Sequence, residues 1–183
     1  RGFEPVILSN YSIADLDIPH NPDRNSRNLM FMAGNMQSFH GVGECIEAVS
    51  RVRERYPDVS LTLVGNVRED LSEYIGGSGR NGFITSTGFL PYREMYEKLS
   101  EGTAGLLVFQ PTYYNISIGL PNKLFDYMLL GLPVIASDLP EIRSVVGSAD
   151  CGILVDPRSV SEIADAITYF FDHPEEAQRM GAN

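Results

Sequence analysis

Six short apolar runs recur along the chain, and each gives way to a segment of different periodicity. The runs are NLMFMAG (28–34), VSLTLVGN (59–66), FITSTG (83–88), AGLLVF (104–109), PVIASD (133–138) and CGILVD (151–156). Apolar character that is continuous instead of alternating suits strands covered on both faces, as in parallel sheets. Val42, Cys45, Ile46, Val49 and Val52 then repeat at three- and four-residue steps, which predicts a helix of about four turns after the first run. PYREMYEKLSEG (91–102) opens with proline and closes with glycine, as helices do. Helices are also predicted over 68–75, 121–130, 139–146 and 159–173, with a short last one from Pro174, while 76–82 reads as a glycine-rich loop. Strands alternating with helices throughout imply right-handed crossovers. The expected fold is therefore α/β, a doubly wound, Rossmann-like parallel sheet of about six strands with helices on both faces. Such sheets bind ligands outside the carboxyl ends of their strands. Function is expected in the loops 34–41, 65–68, 88–91, 110–121 and 137–141.

Composition narrows what those loops can hold. The 183 residues carry 24 acidic and 14 basic side chains, a net charge of −10 with a pI near 4.7, so the clustered Lys and Arg of a nucleic-acid surface are not expected. There is no apolar run long enough to cross a bilayer, and no basic-then-apolar order of a signal peptide at the N-terminus. Cys45 and Cys151 lack metal-ligand spacing and read as reduced core thiols, which fits a cytoplasmic setting. Residues 1–27, with the polar stretch DLDIPHNPDRNSRN, read as a lead-in, leaving 28–183 as the folded domain. A start at Arg1 and an end at Asn183, directly after a helical pattern, suggest a piece cut from a longer protein.

The stretch GLPNKLFDYMLLGLPVIAS (119–137) carries the most chemistry. Pro121 suits the first helical position, and Gly131 with Pro133 marks the end. On a helical wheel Leu124, Phe125, Met128 and Leu129 share one side, expected to face the core, with Lys123, Asp126, Tyr127 and Leu130 opposite. A helix N-terminus after a parallel strand is a natural phosphate seat, and Lys123 would add a full charge. Asp126, acceptor-only when ionised, suits paired ribose hydroxyls. Together they describe a nucleoside diphosphate. The same two residues also fit a plain surface ion pair one turn apart.

The stretch PNKLFDYMLLGLPVIAS resembles the nucleotide-binding helix and following strand of retaining glycosyltransferases of the GT-B fold, in the large group called family four. AGNMQSFHGVGECIEAVSRV, LTLVGN, GFLPYREMYEKLSEGTAGLLVFQP and GILVDPRSVSEIADAI resemble its other segments in order, across residues 28–181. The resemblance implies the C-terminal, nucleotide-sugar-binding half of a two-domain enzyme, working without a metal or other cofactor. It implies a sugar transferred to a glycan or lipid-linked acceptor, as in polysaccharide biosynthesis. The acceptor would be held by an N-terminal domain, and the full-length enzyme could sit peripherally at the inner face of the membrane. The ribose-binding acid maps onto Asp126, where glutamate is more usual; Gly34 maps onto the turn after the first strand, and Gly88, Phe89 and Leu90 onto the loop that cups the base. Phe89 also reads as a core residue.

The departures matter as well. Where the family commonly places arginine and lysine facing the diphosphate, this chain has Asn35 and His40, and Ile118 stands where a glutamate is expected. The helix start Pro121-Asn122-Lys123 resembles a subgroup in which the lysine supplies the phosphate charge. Asn115 and Ser117 could bond the donor sugar or merely cap a turn. The Asp15-Leu16-Asp17 triplet resembles the metal-binding motif of another glycosyltransferase fold, but it lies in the lead-in and reads as linker. Two rival readings share the architecture: a nucleotide-sugar epimerase, and a degenerate domain serving as a binding module.

Overall fold

The computed structural model describes residues 26–69, 71, 75 and 82–183. In chain order it comprises β1 (Asn28–Met36), a 3-10 turn (Ser38–His40), α1 (Val42–Val52), β2 (Ser60–Val67), β3 (Ile84–Ser86), α2 (Tyr92–Ser100) and β4 (Ala104–Leu107). There follow α3 (Tyr114–Ser117), α4 (Asn122–Leu129), β5 (Val134–Ser137), α5 (Pro140–Ala149), β6 (Gly152–Val155), α6 (Val160–Asp172) and α7 (Pro174–Ala182). All six predicted strands are present. The predicted helix over 68–75, the loop over 76–82 and most of the lead-in over 1–27 lie outside the described residues or only partly within them.

All neighbouring strands pair in parallel, in the order β3-β2-β1-β4-β5-β6. The chain builds outward from β1 through β2 to β3, then returns to the other side of β1 to lay down β4. Strand order therefore reverses between β1 and β4, and the crevice above their carboxyl ends is the ligand position of such a sheet.

The unbroken apolar runs are explained by two core clusters, one on each face. Within β1, Leu29, Phe31 and Ala33 pack on the side of α1 and α6, while Met30 and Met32 pack on the side of α2, α4 and α5. Alternate residues point to opposite faces, and both faces are covered. Cys45 and Cys151 are both buried and free.

Several elements differ from expectation. The first helix has 11 residues, about three turns instead of four. β3 keeps only three of the six residues in its apolar run; it is an edge strand, paired with β2 alone. The loop over 110–120 contains the short helix α3. Pro121 is the N-cap of α4, with extended backbone (φ −78°, ψ 133°), one position before the helix that it was expected to begin.

Candidate functional site

The turns leaving β1 and β4 are tied to each other at the crevice. The Gln110 N–H donates to the Phe39 carbonyl at 2.8 Å. Gly41 closes the 3-10 turn with φ +72°, and a Cβ there would lie 2.0 Å from the Val108 carbonyl oxygen. Only glycine allows that approach.

On the β1 side, Gly34 and Asn35 are exposed at a shift in the pairing of β1 with β2, between Met32 and Asn35. The Asn66 side-chain amide reaches Asn35 Oδ1 at 3.5 Å. His40 accepts a hydrogen bond at Nδ1 from the Gln37 N–H at 3.0 Å, and its ring packs near those of Phe39 and Phe109, with centroids 4.3 and 5.3 Å away. Burial, together with the nearby Lys123 charge, lowers its pKa to about 4. At neutral pH the imidazole is uncharged, and because Nδ1 is the acceptor its proton sits on Nε2. His40 is thus a neutral donor.

On the β4 side, Lys123 projects from the first turn of α4, with Nζ 4.8 Å from the centre of the Phe109 ring. Burial lowers its pKa to about 8, against an opposing pull from Asp126. The orientation of α4 corrects the sequence reading. Leu124, Tyr127 and Leu130 are buried, whereas Leu129 is 37% exposed and Phe125 and Met128 are half-buried. Lys123, Tyr127 and Leu130 share about 60° of arc, with Asp126 beside them. The side assigned to solvent is the one turned to the sheet. Tyr127 is the reason: its ring lies over Gly105, and its hydroxyl accepts from the Met32 N–H at 2.9 Å and reaches the Met30 and Leu106 carbonyls at 3.3 and 3.4 Å. A tyrosine counted as polar can be fully buried once its hydroxyl has partners. Lys123 consequently lies within the buried stripe and Asp126 at its edge, instead of on the far side of the helix.

Asp126 has a partner that the sequence reading missed. The Tyr96 hydroxyl, on α2, donates to Asp126 Oδ1, and the Tyr92 hydroxyl lies 2.8 Å from that of Tyr96. The only sequence signal was a pair of tyrosines four residues apart, which on a helix are neighbours.

The remaining predicted residues line the rim. Gly88, with φ +67°, accepts at its carbonyl from the Gly65 N–H at 3.1 Å. Phe89 is 73% exposed, which removes the core alternative; Leu90 is the one that packs against the core. Asn115 is exposed and borders an apolar hollow of about 170 Å³ lined also by Phe109, Ile116, Gly119, Leu120 and Pro121. The Ser117 hydroxyl donates to the Tyr113 carbonyl at 3.3 Å, the turn-capping alternative. Asn122 is exposed at the start of α4, and Ile118 is exposed nearby. Among the described residues, no three His, Cys, Asp or Glu side chains gather as a metal site would require. No helix among them is long and apolar enough to cross a membrane.

Comparison with known proteins places the chain. The family model described as glycosyl transferases group 1 matches residues 15–183. The chain belongs to this family. An alpha-D-kanosaminyltransferase from Streptomyces kanamyceticus is 28% identical over 161 residues, which cover 87% of this chain and 40% of the relative. Among solved structures, the C-terminal domain of a group 1 family glycosyl transferase (LpcC) from Francisella tularensis aligns with a TM-score of 0.76 at 17% identity, covering 93% of this chain and 92% of that one. A variant of S. aureus TarM, solved with UDP among its ligands, aligns with a TM-score of 0.80 at 14% identity, covering 97% of this chain and 34% of that one. This group 1 chain thus shares the parallel α/β architecture of those structures, and it spans 40% of the length of its curated relative.

Proposed function

We propose that this group 1 domain binds a nucleoside diphosphate sugar above β1 and β4, as the donor-binding half of a retaining glycosyltransferase. The observation that carries the reading is the placement of Lys123 and Asp126 on the sheet-facing flank of α4, at the strand-order reversal. Free N–H groups in the first turn of α4 and the Lys123 ammonium would meet the diphosphate. The Nε2–H of His40 adds a neutral hydrogen bond from the β1 side. Asp126 would accept from the ribose hydroxyls. Backbone at Gly34 and Asn35 approaches the phosphates, the loop of Gly88, Phe89 and Leu90 meets the base, and Asn115 is better placed than Ser117 to reach the sugar because the Ser117 hydroxyl is turned to its own helix.

During transfer, negative charge grows on the departing diphosphate, and stabilising it is the principal task of this half. The sugar is then attacked on the face from which the diphosphate leaves, by a glycan or lipid-linked acceptor held by protein outside this chain. The domain alone is therefore expected to bind donor without turning it over. Support comes from the family match and from UDP in the TarM structure. Titration calorimetry with UDP and GDP tests the reading: saturable binding of at least one is expected. A folded domain that binds neither at millimolar nucleotide would overturn it and leave the degenerate binding module.

A further inference from the structure

We infer that Tyr96, backed by Tyr92, is a positioning residue that sets the Asp126 carboxylate for the ribose hydroxyls and thereby makes the site prefer ribonucleotides over deoxyribonucleotides. The inference rests on the donor-site reading above.

Two tyrosines are fully buried on the α2/α4 side of the sheet, and their hydroxyls are satisfied in different ways. Tyr127 bonds strand backbone at Met32, Met30 and Leu106, so its hydroxyl fastens α4 to the sheet. Tyr96 instead donates to a carboxylate on another helix, 30 residues further along the chain. A phenol has one proton, and an ionised carboxylate can only accept. With the Tyr96 proton committed to Asp126, the 2.8 Å contact with Tyr92 must be a donation from the Tyr92 hydroxyl. The two rings meet edge to face, with centroids 4.7 Å apart and planes at 71°, which holds the hydroxyls in line. Tyr92 is 47% exposed, so the chain of hydrogen bonds runs from the rim of the site to the carboxylate.

An aspartate fixed only by its backbone can turn about two side-chain bonds. A donor anchored in the core at Oδ1 removes that freedom. A carboxylate has about four lone-pair sites, so the Tyr96 bond at Oδ1 does not by itself exhaust its capacity to accept from hydroxyls. Presenting that pair of acceptors in a set plane is what lets the site sense whether both ribose hydroxyls are present. The anchor comes from α2, which directly follows the loop of Gly88 to Leu90, so the base loop and the ribose acid are mechanically joined.

The test is calorimetric titration of UDP and deoxyuridine diphosphate against the domain and its Tyr96→Phe and Tyr92→Phe variants, with thermal unfolding followed in parallel. The unaltered domain should favour UDP. Tyr96→Phe keeps the ring and should weaken UDP roughly three- to tenfold, as expected when one side chain must be ordered on binding, while changing deoxyuridine diphosphate by less than about twofold. Tyr92→Phe should act in the same direction by a smaller factor; it lies on the rim and keeps the inference testable should Tyr96→Phe fail to fold. A purely structural role would weaken both nucleotides alike or move only the unfolding midpoint. A Tyr96→Phe domain that binds with undiminished preference for UDP overturns this inference and leaves the donor site standing. Equal binding of the two nucleotides by the unaltered domain removes the ribose role of Asp126, and the inference with it.

Discussion

The two sides of the crevice are built from opposite materials. The β1 side presents Gly34, Asn35 and a His40 whose pKa lies near 4, so it is uncharged at neutral pH. The β4 side presents Lys123, Asp126 and the first turn of a helix. The difference follows from the segment each strand end runs into. β1 runs into a tight turn that Gly41 seats against the Val108 carbonyl, and residues 34–41 include no lysine or arginine. β4 runs into the longer segment that contains α3 and delivers α4 from the side, so long charged side chains can be brought in. A diphosphate held here would draw its neutralising charge from one side and its close backbone contacts from the other.

The joint between the sides gives the largest expected effect. Gly41→Ala forces a Cβ onto the Val108 carbonyl at a left-handed φ and should cost about 3 kcal/mol or more in unfolding free energy, measured by chemical denaturation. Next comes Asp126→Ala on the charged side, expected to weaken UDP by about 1.5–3 kcal/mol through lost ribose bonds; an unchanged affinity would tell against the ribose role. Lys123→Met should weaken UDP far more than uridine, and equal losses would refute the phosphate assignment. The same change should raise the thermal unfolding midpoint, because it removes a charge that the fold holds at a disadvantage.

The pH dependence sharpens that point. In the folded domain Lys123 loses its proton near 8, and in the unfolded chain near 10.5. Affinity for UDP should therefore be full below about 8 and fall as pH rises through it, while uridine binding stays level. Between the two values the unfolded chain binds more protons than the folded one. Stability of the ligand-free domain should accordingly increase with pH across that window, a gain that Lys123→Met abolishes. The smallest effect belongs to the neutral side: His40→Ala should cost UDP affinity only about 0.5–1 kcal/mol, with no added pH dependence near 7. A loss as large as that of Lys123→Met would show that the two sides share the charge.

Much of this molecule was legible in the sequence. Continuous apolar runs and three- to four-residue steps are local signals, and they marked all six strands and most of the helices. Glycine and proline located the loops at the carboxyl ends, and Pro121 to Asp126 marked the helix that carries the candidate site. Boundaries were less legible: β3, with one partner strand, is shorter than its apolar run, because pairing and not composition ends a strand.

The tertiary structure alone decided the rest. The order β3-β2-β1-β4-β5-β6 defines the crevice, and no local pattern specifies which strands become neighbours. The buried face of α4 was misassigned because Tyr127 is polar by composition, yet its hydroxyl meets a strand N–H 95 residues away. His40 is neutral, and Lys123 keeps its charge at neutral pH with a pKa lowered to about 8, because of how each is packed, which no residue type announces. The hydrogen bond from Tyr96 to Asp126 exists only because α2 is laid beside α4. Periodicity depends on near neighbours in the chain and is written in the sequence. Burial, protonation and hydrogen-bond partners depend on residues far apart in the chain, and they exist only once the fold has brought those residues together.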